Sequence, residues 1–107
     1  MFSLKKKKID KSAWAEAIYG KKLKHPEKES EEQLSVITTG MLMQYSRIIY
    51  DSVRIVRTTK NADTRQGRLD LCLQRYQDML KLKPFCNKEQ LAMIRRIEDE
   101  LKKAKIL

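Results

Sequence analysis

A single histidine and two cysteines are all that this 107-residue chain offers to nucleophilic or metal chemistry, and their spacing assembles neither. Cys–His or Ser–His–Asp catalysis needs a nucleophile and a base within hydrogen-bond reach of each other. His25 precedes Pro26 in the polar run Lys21-Lys22-Leu23-Lys24-His25-Pro26-Glu27-Lys28-Glu29. No apolar wall stands beside it to shift its pKa, so it reads as a solvated linker residue. Cys72 and Cys86 are fourteen residues apart with no CxxC pair, which makes no tetrahedral zinc set and no disulfide scaffold. Glu98-Asp99-Glu100 lies among Arg95, Arg96, Lys102 and Lys103, the pattern of exposed helical ion pairing and not of a divalent-cation site. The expectation is a protein that is not an enzyme, holds no metal or cofactor, and has no small-molecule substrate.

Basic residues are the more suggestive set. Arg47, Arg54 and Arg57 fall in one helical stretch and Arg68 and Arg75 in the next, with Arg47/Arg54 and Arg68/Arg75 each one heptad apart. Two adjacent helices would bring them into one basic ridge able to contact phosphates. Lys5, Lys6, Lys7 and Lys8 add a basic arm. The formal net charge is +10, which favours association with anionic partners and also solubility. Against the ridge, Asp51, Asp70 and Asp78 are interspersed and would pair with the same arginines. Nucleic-acid binding through the arm and the ridge is therefore the alternative function.

The elements that must position these residues are helical. Three Gly and two Pro, with abundant Leu, Ile, Lys, Arg, Glu and Gln, favour an all-α chain. Residues 1–29 divide into the arm, a short helix through Trp14 and Ile18 capped by Asp10 or Ser12 and ended by Gly20, and the polar linker. Residues 30–107 carry three principal helices, expected as an antiparallel bundle. Ser30-Glu31-Glu32-Gln33 has the form of a capping box and Asn87-Lys88-Glu89-Gln90 of another. Between Thr58 and Gln66 one helix stops and the next starts. Asn61 is expected in the left-handed conformation that ends helices, and Asp63 as N-cap with Gln66 reaching back. The next helix stops before Pro84. Val36-Ile37-Thr38-Thr39-Gly40 contains weak helix formers, so a bend near Gly40 is left open.

Asp51-Ser52-Val53 through Thr59-Lys60-Asn61-Ala62-Asp63-Thr64, followed by Arg68-Leu69-Asp70-Leu71 and Arg75-Tyr76, resembles a helical-hairpin segment of small all-helical proteins from bacteria and their mobile elements. The resemblance covers about residues 45–80. It implies an antiparallel hairpin and no particular activity. Such segments continue with paired aromatics after the turn, where this chain has Arg65-Gln66-Gly67.

Length gives the remaining argument. Residues 31–60 span roughly 45 Å as a helix and residues 64–82 roughly 28 Å, so the second helix reaches back only to about Met41. Leu34 and Ile37 then need cover from the segment around Trp14 and Ile18, from a second copy, or from a partner. The first functional expectation is accordingly an interaction module that binds a protein partner, or itself, through Trp14, Ile18, Leu34, Ile37 and Met41. Met1-Phe2-Ser3-Leu4 precedes the Lys run and is too short for a signal peptide, and no stretch approaches the roughly 20 apolar residues of a membrane span. The expected compartment is the cytoplasm.

Overall fold

The computed structural model describes residues 10–20 and 30–107. The basic arm with Lys5 to Lys8, the polar linker and His25 lie outside the described residues. Within them the chain is all-α, with no strand. Helix α1 is Lys11–Tyr19, α2 is Glu31–Thr58, α3 is Ala62–Leu82 and α4 is Lys88–Lys103, with a 3-10 turn Lys83–Phe85 between the last two. No described helix is long and apolar enough to cross a membrane.

Side-chain chemistry sets each helix start. The Asp10 carboxylate accepts from the Ser12 and Ala13 amides. Ser30 with Gln33 and Asn87 with Gln90 form reciprocal capping boxes. Gly20 ends α1 at φ 70°, a left-handed conformation that suits a residue without Cβ. α2 runs unbroken through Gly40; its β-branched turn is held because Thr38 is buried and its hydroxyl donates to Leu34 O at 2.7 Å.

The α2–α3 junction departs from expectation. α2 closes on Thr59 in extended backbone, and α3 begins at Ala62 with Asn61 as N-cap at φ −89°, accepting from the Thr64 amide at 3.0 Å. Asn61 is thus neither left-handed nor a C-terminal residue, and Asp63 sits in the first turn of the helix. Gln66 donates forward to Asp70 at 2.9 Å. The reason is order along the chain. Asn and Asp cap about equally well, and Asn61 comes first, with its own amide donating to Thr59 Oγ1 and Arg65 donating to Thr59 O. Residues 59–61 form the whole connection.

The principal core joins Leu42, Tyr45, Ile49 and Val53 of α2 to Cys72, Met79 and Leu82 of α3 and Ile94, Ile97 and Leu101 of α4. This buried stripe on α2 is centred on Leu42 and Ile49. Ile37, Met41, Ile48, Ile55 and Val56 are only half-buried. The flank of α2 on which α4 packs is polar, made of Ser35 and Thr39. Gln90, itself buried, donates there to Ser35 O at 3.0 Å and to Thr39 Oγ1 at 2.9 Å, while its own carbonyl closes the α4 cap.

The far end of α2 is closed as well. Trp14, Ala15 and Leu34 form a second buried cluster, with Ile18, Ile37 and Phe85 packed against it. Trp14 Nε1 donates to Thr38 Oγ1 at 2.9 Å. The chain after α3 therefore reaches further than helix length alone allows, because the 3-10 turn rises about 2.0 Å per residue and carries Phe85 onto this cluster. Ala17 and Ile18 also touch the principal core, so α1 packs on the helices that follow the linker.

Candidate protein-docking groove

Of the three covers expected for Leu34 and Ile37, the structure has the segment around Trp14 and Ile18. Trp14 and Leu34 are buried, and Ile18, Ile37 and Met41 are half-buried. α1 supplies the cover, so these side chains are closed to a partner while α1 is docked, and the exposed apolar side chains lie elsewhere.

The candidate docking surface lies on the outer face of α2. Val36, Met43 and Tyr50 are 67, 56 and 44% exposed and are spaced by seven. That spacing keeps them on one line, with a drift of about 20° per heptad. The line borders a groove between α2 and α4 of about 400 Å³, lined by Met43, Arg47, Tyr50 and Asp51 from α2 and by Met93 and Arg96 from α4. Ser46 is on its floor, with its hydroxyl turned to Leu42 O at 2.7 Å. α2 places these side chains because its opposite side is anchored in the core, and α4 is fixed in register by Gln90. The lining thus combines two guanidinium groups and one carboxylate with three exposed or half-exposed apolar side chains. Asp51 also pairs with Arg54 at 3.7 Å, both well exposed, which makes a weak, solvent-screened contact.

Arg47 and Arg75 are not brought into one ridge. Arg47 faces the α4 groove, whereas Arg75 stands on α3 beside Tyr45, whose hydroxyl feels both Asp78 and Arg75. Tyr45 and Arg47, two residues apart on α2, point about 160° apart. Arg75 is engaged by Asp78 at 3.2 Å. Arg54 and Arg57 are exposed on α2, and Arg68 is half-buried on α3. The heptad spacing was correct within each helix, but it could not show on which side of the helix pair each row would fall.

Of the chemically reactive groups, both cysteines are free and held protonated. Burial pushes the Cys72 thiol up, and the Cys86 thiol to about 11. Cys86 Sγ donates to Leu82 O at 3.1 Å and Cys72 Sγ to Ile49 O at 3.7 Å. Burial also raises Tyr76, whose hydroxyl donates to Glu98 at 3.0 Å and links α3 to α4. No group of three metal-ligating side chains comes together among the described residues. The groove residues Met43, Met93 and Arg96 carried no signal of their own in the sequence. Only the seven-residue interval from Val36 to Met43 to Tyr50 marked the line, and it was hidden by the stronger apolar pattern beside it. Comparison with protein-family models, curated proteins and solved structures finds no match.

Proposed function

We propose that this chain is a non-enzymatic helical interaction module that binds a protein partner along the outer face of α2. The observation that carries the reading is the exposed heptad line Val36–Met43–Tyr50 beside the α2–α4 groove. Large apolar side chains aligned on a helix beside a groove are the form taken by helix-docking surfaces. The scaffold is an antiparallel bundle of α2, α3 and α4. The antiparallel sense of α2 and α3 is supported by Ile49 meeting Cys72, Tyr45 lying near Arg75 and Asp78, and Thr59 meeting Arg65, since the partner number rises as the other falls. The hairpin resemblance over residues 45–80 points to the same scaffold role in a bacterial or mobile-element protein. Thiols pushed upward are the opposite of activated nucleophiles, and free thiols suit the cytoplasm.

A photo-crosslinking amino acid at Tyr50, used in cells producing the protein, tests the reading. The expected result is a discrete protein adduct that resists nuclease and disappears when Met43→Asp is added. No adduct, an adduct dissolved by nuclease, or one indifferent to Met43→Asp overturns it. The nucleic-acid reading, using Lys5 to Lys8 with Arg47, Arg54, Arg57, Arg68 and Arg75, rests on net charge; Arg47 and Arg75 fall on different sides of α2, and the Lys arm lies outside the described residues.

A further inference from the structure

We infer that the occupant of the α2–α4 groove is an acidic amphipathic helix of a partner protein, its apolar stripe on Met43, Tyr50 and Met93 and its carboxylates between Arg47 and Arg96. The inference rests on the protein-binding reading above and adds the chemistry of the partner.

Shape selects a helix. The line from Val36 to Tyr50 extends about 21 Å along α2, the length of a partner of some four turns, and two flanking helices offer the ridges between which a third packs at about 8–10 Å. Gly40 lies between Val36 and Met43 with nothing within 4 Å of where its Cβ would be, so a facing backbone meets no side chain there. Charge selects the sign. The groove walls carry Arg47 and Arg96 against Asp51, with Arg54 at the rim, on a chain of formal charge +10. A nucleic acid would use the guanidinium groups and leave Val36, Met43 and Met93 without a role.

A displayed library of three-heptad helices supplies the probe, with Leu at the core positions and the flanking positions randomised among Glu, Gln and Lys. Selection on the intact protein should return Glu-rich clones. Met43→Asp should weaken their binding roughly tenfold or more through lost apolar burial. Arg47→Glu with Arg96→Glu should weaken it by a similar factor and favour Lys-rich clones instead. Unchanged Trp14 fluorescence and helical circular dichroism in the variants show that the fold is intact. Both variants lie on the surface, and each tests the inference separately.

Several results overturn the inference. One is selection that returns no clones, or clones without Glu enrichment. Another is Glu-rich clones that bind equally to the Met43→Asp variant, which marks bulk electrostatic attraction. A third is a single-stranded oligonucleotide that competes for the groove and is sensitive to Arg47→Glu but not to Met43→Asp. A fourth is light scattering that shows a dimer abolished by Met43→Asp. If the Tyr50 adduct forms in cells and requires Met43 while the selection fails, the partner chemistry is wrong and the protein-binding reading stands. If the adduct is absent, that reading falls too.

Discussion

At the scale of single residues, one hydroxyl holds the two ends of the fold together. Thr38 Oγ accepts from the Trp14 indole and donates to Leu34 O, so α1 is joined to α2 by a buried polar contact as well as by apolar area. Thr38→Val keeps the shape and removes the acceptor. It should cost about 1–3 kcal/mol, the penalty of leaving a buried N–H unpaired. Urea melts check this, and a change below about 0.5 kcal/mol would mean that the indole finds another acceptor. Cys86 makes a second residue-scale case. With its thiol at about 11, only about one molecule in a thousand is thiolate at pH 8, and alkylation by iodoacetamide should be far slower than for a free cysteine. The sign for stability follows from the same shift. A thiol raised in the folded state favours folding below about pH 9 and loses that contribution as pH rises through 11. Between pH 8 and 11 the parent should therefore lose more stability than Cys86→Ala.

At the scale of elements, the capping chemistry separates close neighbours. Asn61→Ala should cost roughly 1 kcal/mol because the Asn61 side chain holds the Thr64 amide. Asp63→Ala should cost less, a few tenths, because Asp63 acts only through the helix dipole. Thermal melts showing the reverse order would return the cap to Asp63. Gly40 offers an effect of opposite sign. It lies exposed inside α2, and nothing meets an added Cβ, so Gly40→Ala should raise stability by about 0.5–1 kcal/mol, measured in the same melts. These cases also show what the sequence made legible. Ser30 with Gln33, Asn87 with Gln90, Gly20 and Pro84 marked their boundaries because each acts on backbone within four residues of itself. The burial of Thr38 and Gln90 was not legible, since polar residues enter a core only when a distant element supplies the partner, here Trp14 for one and Ser35 with Thr39 for the other. The groove was hidden for the same reason: Met93 and Arg96 acquire a role only once Gln90 sets α4 against α2.

At the scale of the whole molecule, the Cα radius of gyration is 16.3 Å, against about 13 Å for a spherical chain of this length. From Arg54 to Leu71 no residue is fully buried, so the last turns of α2 and the first turns of α3 are held by half-buried Ile55, Val56, Arg68 and Leu69 and by the contacts of Thr59, Asn61 and Arg65. Opening free energy should then grade along the chain. Amide hydrogen exchange should be fast over residues 54–71 and slowest over residues 42–53, 72–82 and 94–101. Uniform protection would show that the segment is held by more than its half-buried side chains and its cap and turn contacts. Because this end lies outside the buried core, it is also the place where the chain can be lengthened. Extra residues between Thr59 and Lys60 leave Asn61 to cap α3 as before, and each doubling of the loop adds only about 0.6 kcal/mol of closure entropy. The molecule thus carries a tolerant graft site well away from both Trp14 and the Met43 groove, where a probe or a second binding sequence is carried at little cost to folding.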